Sequence, residues 1–324
     1  MNRGWMRAAF AAAMLFGATA AAQADTYPAR PVTIVVPYPA GGATDMIARE
    51  VSQRLGETWK QPVVVENRAG AGTTIGAGSV ARAKGDGHTL LMTTSAHTIS
   101  GHLYKGLPYD PQKDFRAVTL VTKVPLVLVV NNDLPVKTLP ELLEYLKTHG
   151  EQVNFASPGN GTAQHLSGEL FKIRTKSGIT HVPYRGDAPA ITDLMGGQVQ
   201  MMLATATAVL PMIDSGKLRA LAVAHDRRIQ ALSDVPTFAE AGMPDFEAAT
   251  WFGLLAPASV DDAVVEKVYR DVSALVDTPQ MRKRIEDMGG DVMNSGPADF
   301  EAFMREESEK WGNAVQASGA SLQN

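Results

Sequence analysis

Cysteine is absent from the 324-residue chain. That excludes a disulfide framework, a thiolate metal site and a lipid-carrying cysteine behind a processed N-terminus. Runs of Lys or Arg are missing too, and the formal charge is −4, a balance that argues against nucleic acid as a partner. After residue 24 no apolar stretch has the length or purity of a membrane-spanning helix. Low-complexity tracts and short-period repeats are lacking as well. Catalytic signatures are equally scarce: no G-x-S-x-G elbow, no G-x-x-x-x-G-K-[ST] loop and no H-E-x-x-H pair occurs. His88, His97, His102, His181 and His225 are scattered without ligand spacing. No metal and no cofactor is therefore expected.

What is present begins with an export signal. Arg3 and Arg7 precede an Ala-rich apolar stretch from Ala8 to Ala22, and Ala22-Gln23-Ala24 is a small-x-small cleavage site. Residues 1–24 are expected to be a signal peptide cleaved after Ala24, leaving a protein free in a bacterial periplasm. Loss of Arg3 and Arg7, with no acid in that segment, takes the charge to −6. The remaining chain is about twice a typical domain, so two lobes are expected.

Hydrophobic spacing predicts an α/β chain. Strand Val32–Val36 precedes a helix from about Thr44 to Trp59, where Ile47, Val51 and Leu55 recur at helical intervals. Strand Val63–Glu66, a helix ending near Lys84 and strand Thr89–Thr93 follow. Val124 to Val130 is a near-continuous apolar strand suited to a buried crossing, and Trp251 to Ala256 is another. Between them the β-α alternation starts again, and the end of the chain is mostly helical. Two α/β units joined by two crossing strands describe a periplasmic binding protein fold of type II character, with a cleft between lobes. The expected division is 25–125 plus 251–324 for the first lobe and 126–250 for the second.

The stretch VVPYPAGGATDMIAR, Val35 to Arg49, carries the most chemistry. A strand runs through two prolines and Gly41-Gly42 into a helix. The first N–H groups of a helix have no internal partner and share the positive end of its dipole, so they can hold an anion without Lys or Arg. The second unit repeats the pattern: strand NFAS, Asn154 to Ser157, enters PGNGTAQHL and a helix that Thr162 can cap. Two such termini would suit a ligand with a carboxylate at each end. His165 could donate to that ligand or satisfy nearby backbone. Thr94 and Ser95 end one strand, and Ala204 and Thr205 end another, so they could line the cleft or merely close turns. In Tyr184-Arg185-Gly186-Asp187, Arg185 could pair with an anion or lie in solvent. The run GAGTTIGAG fits close helix–strand packing better than a nucleotide fingerprint.

At these residues the chain resembles the periplasmic substrate-binding receptors of tripartite tricarboxylate transporters, the Bug receptors. The likeness spans VVPYPAGGATDMIAR, VVVENRAGAGTTIGAGSVARAKGDGHTLLM, FASPGNGTAQHLSGELF, HVPYRGDAPAITDLMGGQVQ, GKLRALAV and DVPTFAEAGMP with the later Trp251. It implies a monomeric, non-enzymatic receptor that closes on a small carboxylate and passes it to membrane permease subunits. It also implies ligand contacts from the loop Tyr38 to Gly42 and from the turn Ser157 to Thr162. From their places at strand ends and helix starts, Ala40, Gly41, Gly42, Ser157, Gly161 and Thr162 are expected to hold the carboxylates, with Thr94, Ser95, His165, Tyr184, Ala204 and Thr205 on the walls. Many relatives carry Asp where this chain has Gln200 and Ala204, and Phe where it has Tyr38. A missing acid at Ala204 disfavours a ligand amine, leaving a di- or tricarboxylate or an aromatic carboxylate. Two alternatives are a secreted enzyme acting on an organic acid and a ligand-sensing partner of a signalling ectodomain.

Overall fold

A computed structural model describes residues 27–319, so the expected signal peptide and its cleavage site lie outside the described residues. Val32–Val36 forms β1, whose β-branched residues are nearly all buried. Helix α1 (Ala43–Trp59) lays Ile47, Val51 and Leu55 on the sheet, and Lys60 in the left-handed region ends it. Each of those side chains removes enough apolar surface from water to stabilise the fold by roughly 1.5–3 kcal/mol. β2 (Val63–Asn67) and β3 (Thr89–Thr94) flank β1 in parallel, with α2 (Thr74–Ala81) between them in sequence.

α3 (Ala96–Leu103) follows β3, and then comes β4 (Phe115–Asn131), a 17-residue strand that serves two sheets. Its first part, Phe115 to Pro125, pairs antiparallel with β9 (Ala249–Pro257), which in turn pairs antiparallel with β3. Its last part, Leu126 to Asn131, pairs with β7 (Met201–Thr205) and β8 (Leu218–Val223). The second sheet continues from β7 through β5 (Asn154–Ser157) to β6 (Thr180–Pro183), both in parallel. Its helices are α4 (Leu139–His149), α5 (Ala163–Thr175), α6 (Asp187–Met195) and α7 (Ala206–Asp214). The α/β expectation therefore stands, with two parallel units joined through β4 and β9.

Three features depart from the sequence reading. β4 begins nine residues before the apolar run, because Thr119 and Thr122 interrupt the run yet donate their hydroxyls to Ser295 O and Asp291 O. Those carbonyls belong to β10 (Asp291–Ser295), an unexpected polar edge strand. Helix α3 was also unexpected, since Thr98 and Ser100 blur its apolar spacing; both bond back to carbonyls three residues earlier. After β9 come α8 (Asp262–Val276), α9 (Pro279–Asp287) and α10 (Pro297–Ser318). Trp311 and Ala314 of α10 pack with Ile99 and Leu103 of α3 and with Leu166 of α5, tying the two units together.

Candidate ligand-binding site

The turn from β1 into α1 is open. Gly42 is the N-cap and has no side chain to cap with, while Gly41 adopts φ +88° with empty space around it. The Gly41 N–H, expected to face a ligand, is donated instead to Asp45 Oδ2 at 3.0 Å. Burial acts to raise the Asp45 pKa, but Arg49, the Gly41 N–H and Asn67 together hold it below the usual carboxylate range. Ala40 is exposed. The Ala43 N–H, one residue beyond the expected set, is donated at 3.2 Å to a carboxylate oxygen, Asp187 Oδ2.

The turn from β5 into α5 is closed on itself. Thr162 caps α5, accepting from His165 N at 3.2 Å and donating to Gly159 O at 2.8 Å. The Gly161 N–H is donated to His165 Nδ1 at 3.3 Å, so that ring nitrogen is an acceptor and the imidazole is neutral. Ser157 Oγ bonds to Gly159 O, receives the Gly159 N–H and shares a 2.7 Å hydrogen bond with His181 Nε2. Burial pushes the His165 pKa down to about 4 and that of His181 down to about 3, the latter helped by His165 and Lys172.

The two turns meet. A Cβ placed on Gly42 would come within 2.9 Å of Asp187 Oδ2, and one on Gly186 within 3.0 Å of Pro39 Cδ. Between them lies a cavity lined by Tyr38, Ala43, Thr44, Thr94, Pro158, Gln164, Asp187, Thr205, Thr250 and Phe252. It holds about 10 Å³, close to the least that one water needs. Tyr38 and Thr94 share a 3.0 Å hydrogen bond, and Gln164 Nε2 donates to Thr205 Oγ1 at 2.8 Å. Burial raises the Tyr38 pKa and keeps its phenol neutral. Asp187 is only partly buried as a residue, but Oδ1 is sealed from solvent with no hydrogen-bond partner. Burial pushes its pKa up to about 6 against the downward pull of the Ala43 N–H.

Of the expected site residues, Tyr38, Thr94 and Thr205 line this cavity, and Gly42 abuts it. Ser95 is fully buried beside Thr250, and Ala204 is fully buried in β7 opposite Val127, so neither lines it. Tyr184 donates its hydroxyl to Asp193, and Arg185 is exposed. Gln200 accepts from Asn154 N and donates to Gly197 O, a stitch at the sheet rather than a cleft group. The lack of an acid at Ala204 therefore does not bear on a ligand amine: that position is off the cavity, and Asp187 is an acid on it. Sequence reasoning also missed Ala43, Gln164 and Thr250. Locally Asp187 shows only an acid that opens a helix after a glycine at a strand end, which does not say that it reaches α1.

Two other places bring together groups or space of the kind a ligand needs. His165, Glu169 and His181 bring ligand-type atoms within 4.8 Å of one another. The two rings stack at 4.1 Å and 23°, however, so their in-plane lone pairs run side by side instead of converging on an ion. A larger cavity of about 1220 Å³ lies between α3, the segment 104–117 and α10. No residue of either glycine turn lines it, although its Tyr104 packs against Gly161, and its charges include the pairs Arg305–Glu301 and Lys113–Asp110.

Residues 47–320 match the profile described as tripartite tricarboxylate transporter family receptor. Over 308 residues the chain is 37% identical to Protein BugT of Bordetella pertussis, covering 94% of each. Among solved structures it is similar to Rpa4515 of R. palustris with adipate, at 34% identity and a TM-score of 0.89, covering 91% of this chain and 100% of that one. It is also similar to MatC of Rhodopseudomonas palustris with bound malate, at 35% identity and a TM-score of 0.84, covering 89% and 100%.

Proposed function

Because the chain belongs to the tripartite tricarboxylate transporter receptor family, we propose that it captures a small aliphatic dicarboxylate between its two glycine turns and delivers it to membrane permease subunits. Membership sets aside the secreted-enzyme reading: the family is one of receptors. In this reading one ligand carboxylate takes the N–H groups at the start of α1, around Gly42 and Ala43. Tyr38, Thr94, Gln164, Thr205 and Thr250 supply neutral hydroxyls and an amide for the rest of the molecule. Residues 25–125 with 251–324 act as one lobe and 126–250 as the other, hinged where β4 passes from sheet to sheet. The lobes part from the shut arrangement, whose cavity has room for about one water, to admit the ligand, and closing around it excludes water and strengthens these hydrogen bonds. Export after Ala24 delivers the receptor to the periplasm as a monomer, and no described helix is long and apolar enough to cross a membrane.

One observation carries the reading. A carboxylate, that of Asp187, already sits against the Ala43 N–H in a cavity that Tyr38 and Ala43 line from the first turn and Pro158 from the second. Backbone donors at a helix start are suited to that group. An amine-free ligand is supported by the adipate and malate of the two similar structures. The test is a thermal-shift screen of residues 25–324 against malate, succinate, adipate, citrate, benzoate, aspartate and glutamate. A rise in Tm with the C4–C6 dicarboxylates, and less with the amino acids, is expected. Equal rises with glutamate and succinate contradict the amine-free ligand, and no rise with any acid contradicts carboxylate capture.

A further inference from the structure

The carboxyl group of Asp187 stands where a ligand carboxylate would stand. It comes from α6, across the cleft from α1, and only one of its oxygens has a partner. Two ionised carboxylates within a few ångströms in a dry site repel strongly, so at most one of them stays charged unless a cation separates them. The residues lining the cavity offer no such cation: Tyr38 and Asp187 are its only ionisable members. Asp45, from the first turn of α1, is turned to the Gly41 N–H and paired with Arg49. On the side of Asp187 itself, Tyr184 is bonded to Asp193 and Arg185 is exposed. β7, β9 and α5 present Thr205, Thr250, Phe252 and Gln164, none of which titrates.

We propose that Asp187 is a specificity-determining residue of this receptor: its carboxyl group lies beside the ligand's carboxylate at the start of α1, so that a plain dicarboxylate is bound together with one proton from solvent. The proton rests on Asp187, whose O–H then donates to the ligand carboxylate, while that carboxylate takes over the Ala43 N–H. The upward pKa of Asp187, to about 6, places this uptake in the range where an ionised dicarboxylate is the usual form. Affinity for malate or adipate then falls about tenfold for each pH unit above the pKa of Asp187. The proposal rests on the receptor reading and deepens it.

Calorimetric titration of wild type and Asp187→Asn with malate and with adipate, at pH 6, 7 and 8 in two buffers of different ionisation enthalpy, tests it. The amide reproduces the protonated acid, one acceptor and one donor. Wild type is expected to weaken with rising pH and to take up close to one proton at pH 8. Asp187→Asn is expected to be flat with pH, to take up none, and to bind at least tenfold more tightly at pH 8. Equal affinity and equal pH slope in the two proteins, or weaker binding by the amide, overturns the role of Asp187 and leaves the receptor reading standing. No heat from either protein with any acid of the panel overturns the receptor reading, and this proposal with it. A melt of Asp187→Ala beside the amide separates a folding defect from a binding effect.

Discussion

The two glycine turns are written alike and built differently. At Val36 to Ala43 the helix cap is a glycine, the loop has free space around Gly41, and the first helical N–H bonds a carboxylate from another element. At Ser157 to Ala163 the cap is a threonine, and Ser157, Gly161 and His165 bond to partners within the turn or on the adjacent β6. A strand–glycine–helix pattern thus yields either an open set of donors or a finished structural knot, and neighbouring side chains decide which. Thr162 and His165 close the second turn, while the first turn has Asp45 for Gly41 and nothing local for Ala43. The clamp proposed here is therefore unequal, with its anion seat at α1 and hydroxyls, an amide and the Asp187 carboxyl group opposite.

The sharpest way to break this contrast is to fill the open turn. Gly42→Leu pushes a side chain into the place of the Asp187 carboxylate, so the ligand-induced rise in Tm is expected to vanish while the fold survives. An unchanged rise would remove α1 from the site. Acid pH divides the turns next. His165 has a depressed pKa, so its contribution to stability is complete above about 6.5 and is lost as pH falls toward 4. Asp187 has a raised pKa, so its contribution is complete below about 4 and is lost as pH rises through about 6. Urea titrations from pH 4.5 to 7.5 should therefore show opposite changes. His165→Phe makes the acid-side loss shallower by up to about 1.4 kcal/mol per pH unit, and Asp187→Asn makes it steeper; slopes that do not move refute the assignment. The smallest effect is on the capped turn. Thr162→Ala should cost about 1 kcal/mol of unfolding free energy and leave dicarboxylate affinity within about twofold, whereas a tenfold loss would make the second turn an equal jaw.

Much of the frame was legible because burial and period coincide. β1 runs where its β-branched residues do, β8 runs over the largely apolar stretch Leu218 to Val223, and α1 follows the Ile47–Val51–Leu55 stripe. Legibility failed where polar groups were satisfied by distant chain. Thr119 and Thr122 look like breaks in a strand until β10 supplies carbonyls for them. α3 and β10 have no clean apolar period of their own. For the site, the α1 turn could be read locally because it depends on three consecutive residues and a helix start. Asp187 could not, because nothing at positions 184–187 says that this strand end folds over Gly42, 145 residues earlier. Ala204 and Ser95 were misplaced for a related reason: a strand end names a neighbourhood, and the sheet twist decides which side chain faces the cleft.

The most direct measurement of the central claim is the position of a bound dicarboxylate in a crystal of the mature protein grown with malate or adipate. One carboxylate is predicted within hydrogen-bond distance of the Ala43 N–H with the Asp187 carboxyl group alongside it, and Thr94, Gln164 and Thr205 around the remaining atoms. A dicarboxylate seated in the cavity between α3 and α10, or held by Ser157 and Gly161 with α1 untouched, would contradict it.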